Sequence, residues 1–252
     1  MSQIIVIKIG GNAVAQLPAS FFQQLAQWRQ QGQQILIVHG GGPKISQLSG
    51  QLHLAVKKIA GVRVTDAATL ELTKAVLLGL VQPELLSQLS AHDLPVIGLN
   101  AGCNHLLQGH YLDQAIYGEV GVLDQINDTW LTQILSRQIG VIAPLVQTTA
   151  GRWLNVNADT AAAEIATKLN ASKLVLLTDV PGVLSAGEVL PELSQQKAHS
   201  LIAADVIKSG MTPKIKAAFA ALNQGVQQAF ITNDLTHTGT TFITQKAGLL
   251  NE

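Results

Sequence analysis

Lys8 stands inside a run of isoleucine and valine, IIVIKI, two residues ahead of the Gly10–Gly11 pair. An ammonium there is expensive to desolvate unless it is paired or faces a ligand; the alternative is an edge position from which its stem snorkels to water. A second lysine, Lys214, falls in the first turn of a helix read over Ser209 to Gly225, with Thr212 as N-cap, Pro213 at the first helical position and Gly225 as the stop. A cation at that position opposes the helix dipole at a cost of up to about 1 kcal/mol, and a bound phosphate reverses the sign of the local field. Asn155, Asn157 and Asp159 alternate just ahead of an alanine-rich helix, and alternation in an extended segment aims all three the same way. An N-cap role explains Asn157 or Asp159 alone, but not the row of three. These residue types suit a site that handles anions.

Three strand ends run directly into turn chemistry: Ile4 to Asn12, Leu36 to Pro43 and Leu174 to Gly182. Glycines without a Cβ let backbone N–H groups approach an anion, although tight turns after strands use glycine for steric reasons as well. Nothing reads GxxxxGK[ST], and neither glycine run followed by a helix reads GxGxxG, which disfavours a P-loop NTPase or a Rossmann dehydrogenase. Arg63, close to Lys57 and Lys58, can clamp a carboxylate with two parallel hydrogen bonds; a surface ion pair is its bland alternative. His39, before the glycine triplet, reads as structural.

The elements that must position these groups alternate. Short apolar runs at Ile4–Ile9, Ile35–Val38, Pro95–Leu99, Gly140–Val146, Lys173–Leu177 and Ala229–Thr232 have the continuous character of strands buried on both faces. Amphipathic segments lie between them. Phe21, Leu25 and Trp28 recur at helical spacing after Pro18 and before Gly32. The pattern predicts an α/β protein with a largely parallel sheet, whose ligands gather outside the carboxyl ends of the strands. Pro191 to Ser200 reads as a polar connection that a helix can enter, and two lobes sharing one sheet are expected rather than two separable domains.

Composition narrows the class further. The 252 residues are 47% hydrophobic, enough for a sizeable core, and only 13% charged, with sixteen basic and sixteen acidic residues. The footprint of a nucleic-acid binder or a polybasic membrane anchor is missing. Cys103, the single cysteine, cannot form an intrachain disulfide and is expected to be inert, which fits a reducing cytosol. The apolar run at the start is too short for a signal peptide or a membrane span, so a cytoplasmic protein is expected.

Taken in order, KIGGN, IVHGGGP, VRVT, NVNAD, LLTDVPG and SGMTPK resemble the signature of the amino acid kinase family, in its acetylglutamate kinase branch, from about Ile4 to Ile243. The resemblance implies a three-layer α/β/α sandwich with a mainly parallel sheet, the carbamate kinase-like fold. It implies a lobe over residues 1–170 for the acyl amino acid and for homodimerisation, and a lobe over 171–252 for ATP. It implies phosphorylation of the γ-carboxylate of N-acetyl-L-glutamate, with Mg²⁺ arriving largely on the ATP phosphates. Carried across by position, Lys8 and Lys214 match the lysines that stabilise the transferring phosphoryl group, and Asp159 the carboxylate that holds them. Gly10, Gly11, Gly41 and Gly42 match backbone donors around the γ-phosphate and the attacking carboxylate. Arg63 and Asn155 match groups that bind the substrate. Asp179, Val180, Gly182, Ser209, Gly210 and Met211 match segments near the nucleotide.

Two departures fall on the substrate side: Ala60, where the family more often has a polar residue, and the stretch Cys103 to Asp113, atypical for a substrate-covering hairpin. A sister kinase acting on glutamate, aspartate, carbamate or an aminoadipate derivative is the nearest alternative, and a catalytically silent ligand sensor is another. NVNAD with VRVT favours the acetylglutamate branch, and retention of both lysines with Asp159 speaks against the sensor. Arginine-inhibited members carry an extra helix before the first strand; here that strand starts by Ile4, so the resemblance implies an arginine-insensitive dimer.

Overall fold

Six consecutive buried residues, all apolar but Lys8, place β1 (Ile4–Ile9) at the centre of the sheet, because only a strand covered on both faces is buried along its whole length. The structure is a computed structural model and describes residues 3–11, 13–59, 61–208 and 210–244. On one side β1 pairs with β2 (Gln34–His39), followed outward by β4 (Ile139–Ile142) and β3 (Val96–Leu99). On the other side lie β5 (Lys173–Leu177), β7 (Gln228–Thr232), β8 (Thr240–Ile243) and β6 (Glu192–Ser194). Every pairing is parallel except that of β7 with β8.

The period of two along β1 divides the core. Ile5, Ile7 and Ile9 pack with α1 (Ala19–Gln30), α2 (Gly42–Gln51) and α4 (Gln82–Ser90), which continues from α3 (Ala67–Val76) through a π-helical turn at Leu77–Val81. Ile4 and Val6 face the opposite layer. There α6 (Asp128–Leu135), α7 (Ala158–Lys168), α8 (Gln195–Ala203) and α9 (Thr212–Asn223) cover the sheet, while the short α5 (Gln114–Tyr117) lies on a surface loop. The result is the expected three-layer α/β/α sandwich with a mainly parallel sheet.

Two local expectations need correction, and a third gains a short strand. The apolar run Gly140–Val146 is two strands: β4 ends at Ile142, and Leu145–Gln147 belongs to a separate four-stranded sheet with Trp153–Asn155, Leu107–Tyr111 and Gly121–Ile126. Pro144 lies between them and has no N–H to continue a ladder. Thr212 is the first residue of α9 rather than its cap; Met211 takes that place without a side-chain hydrogen bond, and Pro213 moves one position inward. The connection Pro191 to Ser200 carries β6 and then enters α8, capped by Ser194, which accepts from the Lys197 N–H. The helix after Pro18 runs as expected to Gln30, with Gly32 in the left-handed region at φ +79°.

Candidate active site

The chain crosses to one side of β1 for β2 and to the other for β5, so the carboxyl ends of these three strands open a crevice at a topological switch point. The glycine turns are threaded into it. Gly10 N–H donates to Leu177 O at 3.3 Å and Gly40 N–H to Ile9 O at 2.9 Å, which ties the β1 and β2 turns to their neighbouring strands. Gly11 approaches the second turn so closely that a Cβ would lie 2.9 Å from Pro43 Cδ and 3.2 Å from Gly41 N and Cα. No side chain larger than hydrogen fits there. Helix α2 starts at Gly42, and a helix start leaves N–H groups without intrahelical acceptors, favourable to an anion.

The β1 alternation turns Lys8 toward the layer that holds α7 and α9. Its Nζ lies 2.9 Å from Asp159 Oδ1, and Lys214 Nζ lies 3.4 Å from Asp159 Oδ2. One carboxylate thus holds two ammonium groups that would otherwise repel. Asp159 sits in the first turn of α7, fixed by Asn157, whose Oδ1 accepts from the N–H groups of Asp159 and Thr160 at 2.9 and 3.2 Å. Asn157 is therefore the N-cap. The row of three is not one extended segment, since Asn155 closes a strand and Asp159 is helical, yet all three line the same cleft. Lys8 is only 5% exposed. Burial pushes its pKa below the ordinary lysine value against the pull of Asp159, and the charge of Lys214 adds to the lowering.

At the other end of the cleft Arg63 is buried, with Nη2 donating to Ser46 Oγ at 2.7 Å and to Gly42 O at 3.2 Å. Its Nη1 is buried without a partner among the described residues. Asn155 donates from Nδ2 to Thr65 Oγ1 at 3.2 Å. Arg63 ends a hairpin, Lys58–Ile59 with Val62–Arg63, whose turn at Gly61 approaches Pro213 at the start of α9. The hairpin thus bridges the crevice, which encloses about 1060 Å³.

The cleft brings together Lys8, Gly10, Gly11, Gly41, Gly42 and Arg63. Asn155, Asp159, Asp179, Gly210 and Lys214 join them. Val180, Gly182 and Met211 do not line it. Gly182 has a packing reason, since a Cβ there would sit 2.7 Å from Thr240 Oγ1 and Val189 Cγ1; Met211 packs against the α7–α9 core. Ser209, like Ala60 and Asn12, lies outside the described residues. His39 is buried beside Gly40 O at 3.3 Å, and burial pushes its pKa down to about 4, so the ring is neutral near pH 7. Cys103 lies in a single turn of 3-10 helix and packs against the core.

Residues at the cleft beyond those expected from the sequence include Gly40, Lys58, Glu164, Lys216 and, behind Asn155, Thr65. Thr65 stands two residues after Arg63 within VRVT, and that spacing is the one signal it offered. Among the described residues, no group of three or more His, Cys, Asp or Glu side chains converges as a metal site would require. No helix among them is long and apolar enough to cross a membrane.

Comparison with known proteins gives a consistent result. The model of the amino acid kinase family matches residues 3–233. The acetylglutamate kinase of Lactiplantibacillus plantarum is 55% identical over 247 residues, covering 98% of this chain and 100% of that one. The acetylglutamate kinase of Leuconostoc citreum is 47% identical over 241 residues, covering 95% and 98%. Among solved structures, that of smu.665 from Streptococcus mutans UA159 superposes with a TM-score of 0.91 at 39% identity, over 96% of this chain and 99% of that one.

Proposed function

The chain belongs to the amino acid kinase family, and from that premise we propose that it transfers the γ-phosphoryl group of ATP to the γ-carboxylate of N-acetyl-L-glutamate. The products are N-acetyl-L-glutamyl 5-phosphate and ADP, the second step of arginine biosynthesis. The observation that carries the reading is the Lys8–Asp159–Lys214 cluster beside two glycine turns, in a chain 55% identical to an acetylglutamate kinase along its length.

Phosphoryl transfer needs little covalent help and mostly needs positioning and positive charge at the oxygens of the moving group. The nucleophile is already ionised at neutral pH, so no general base takes part. The central difficulty is to bring two anions together. In this reading Lys8 and Lys214 stabilise the charge on the transferring group from the β1 and α9 sides, and Asp159 keeps both ammonium groups aimed while the cleft is empty. Backbone N–H groups of Gly11, Gly41 and Gly42 surround the γ-phosphate and the attacking carboxylate, and Gly10, whose own N–H is held by Leu177 O, keeps the turn open to them. Arg63 takes the α-carboxylate through its free Nη1, and Asn155 the acetylamino portion. Asp179 and Gly210 border the nucleotide, with Val180, Gly182, Met211 and Ser209 in the segments that carry it.

Mg²⁺ is part of this reading as a partner of the ATP phosphates, where it neutralises charge. Both oxygens of Asp159 face ammonium groups; of the other carboxylates that line the cleft, Glu164 and Asp179, this reading gives Asp179, in the segment assigned to the nucleotide, contact with such an ion through water. The acyl amino acid lobe spans residues 1–170 and the ATP lobe 171–252, meeting along β1 and β5. A homodimer through the first lobe belongs to the same reading; Leu80, 46% exposed on the α3–α4 run, is apolar surface that pairing would cover. The cytoplasm, which supplies ATP and suits an unpaired cysteine, is the proposed compartment.

The product offers a direct test. An acyl phosphate reacts with hydroxylamine to give a hydroxamate, so incubation with Mg-ATP, N-acetyl-L-glutamate and hydroxylamine should accumulate the hydroxamate with one ADP released per acid consumed. ADP release without hydroxamate would refute carboxylate phosphorylation.

A further inference from the structure

The Arg63–Asn155 end of the cleft contains a chain of hydrogen bonds whose direction follows from the atoms in it. The Arg63 carbonyl can only accept, and Thr65 Oγ1 lies 2.9 Å from it, so the single hydroxyl hydrogen is committed there. Thr65 Oγ1 then has only lone pairs for Asn155, 3.2 Å away, and the amide must turn its NH₂ group toward Thr65. A reversed amide would set oxygen against oxygen. Asn155 Oδ1 is thereby left as an acceptor for the cleft that Asn155 lines, and no described residue donates to it.

Thr65 is itself held from several directions. It is fully buried, its N–H donates to Tyr117 O at 2.9 Å, and its carbonyl accepts from the Glu119 N–H at 2.6 Å. Gly118 packs against the same carbonyl at φ +71°, where a Cβ would collide with it. The Glu119 carbonyl in turn accepts from the Asn155 N–H at 2.9 Å. The backbone around both residues is thus held by bonds that do not involve the hydroxyl, whose own two bonds, to the Arg63 carbonyl and from the Asn155 amide, together choose which half of that amide faces the cleft.

We infer that Thr65 is a positioning residue for the phosphoryl acceptor, setting the polarity of Asn155 so that an acceptor oxygen meets the N–H of an acylated amine. The free Nη1 of Arg63 supplies the complementary donor for a carboxylate on the same molecule. A ligand with a carboxylate beside an amide N–H matches this pair in both senses. The inference deepens the proposed function and rests on its assignment of this end of the cleft to the acceptor.

The test is a double-mutant cycle with Thr65→Val, Asn155→Ala and the pair combined, with Thr65→Ser as the conservative control. Thr65→Val should raise the acceptor KM about tenfold, the size of one lost polar contact, with kcat and the ATP KM changed by less than about twofold. Thr65→Ser should restore the parent KM. In the Asn155→Ala background Thr65→Val should add far less, because most of its effect travels through Asn155 and only the bond to the Arg63 carbonyl is left to lose. An unchanged acceptor KM, or the same increase in both backgrounds, overturns the inference. Should Thr65→Val lose its circular dichroism spectrum, Thr65→Ala against Thr65→Ser is judged by the same criterion. The acceptor in the cycle is whichever acid the parent enzyme phosphorylates, so a parent that prefers another acid revises the proposed substrate while the cycle still decides for Thr65. A parent with no acceptor removes both together.

Discussion

The ammonium of Lys8, near the end of the central strand, lies 2.9 Å from the carboxylate of Asp159 in the first turn of α7, and both side chains are buried. A buried ion pair is weak evidence for stability, because desolvation offsets the Coulomb attraction. This pair also carries a second lysine on the same carboxylate, which leaves net positive charge at the end of a crevice. Such an arrangement makes physical sense where an anion arrives.

Replacing Lys8 with Met keeps the stem and removes the charge. The expected result is a kcat lower by roughly a hundred- to a thousandfold, the range seen when one preorganised group facing transition-state charge is lost. ATP binding, followed by fluorescence titration, should weaken far less. Equal losses in binding and turnover would mean that Lys8 serves the ground state only.

Asp159→Asn removes the group that separates Lys8 from Lys214. Breaking a buried pair by deleting one partner leaves uncompensated charge, and destabilisation of roughly 3–5 kcal/mol is expected from urea unfolding. Because ATP supplies negative charge at the same place, saturating nucleotide should recover more stability in the variant than in the parent. A variant as stable as the parent would show that Asp159 does not hold the lysines.

Gly11→Ala tests whether the two glycine turns must touch. The new methyl would sit 2.9 Å from Pro43 Cδ and 3.2 Å from the Gly41 backbone, so the turns must separate. Overpacking of this kind costs about 1–3 kcal/mol. Activity should fall at temperatures where the variant remains fully folded, since backbone donors move with the turns. Full activity there would contradict their role.

His39 gives the fold an acid-sensitive point. Burial holds its pKa near about 4, below the ordinary 6.5. Between those values the unfolded chain binds a proton that the folded chain does not, so stability falls as pH drops through that window and is recovered above 6.5. The span corresponds to on the order of 3 kcal/mol. Comparing urea unfolding at pH 7 and pH 4.5 for the parent and His39→Leu checks it, and the variant should show the smaller difference.

The lysines were legible because a cation inside an apolar strand or at a helix start carries an electrostatic cost that a ligand or partner must offset, and Asp159 because it alternates with Asn155 and Asn157 in a motif the family resemblance covers. Their mutual contact was not, since sequence spacing says nothing about which helix start meets β1. Apolar continuity hid the break at Pro144, and the capping preference of Thr212 outweighed the geometry that begins α9 one residue earlier. Gly11 and Gly182 look alike in sequence, yet one borders the cleft and the other packs under Thr240. Thr65 escaped because its partner Asn155 is 90 residues away.

The central claim, a kinase whose acceptor is N-acetyl-L-glutamate, is tested most directly by ADP release with Mg-ATP across a panel of acids. The panel is N-acetyl-L-glutamate, glutamate, aspartate, carbamate and N-acetyl-2-aminoadipate at matched concentrations. The account predicts turnover with N-acetyl-L-glutamate at least about tenfold above any other acid, because acids without an acylated amine leave polar groups of the site unpaired and N-acetyl-2-aminoadipate is one methylene too long. Preferential turnover of a different acid, or none with N-acetyl-L-glutamate, would contradict it.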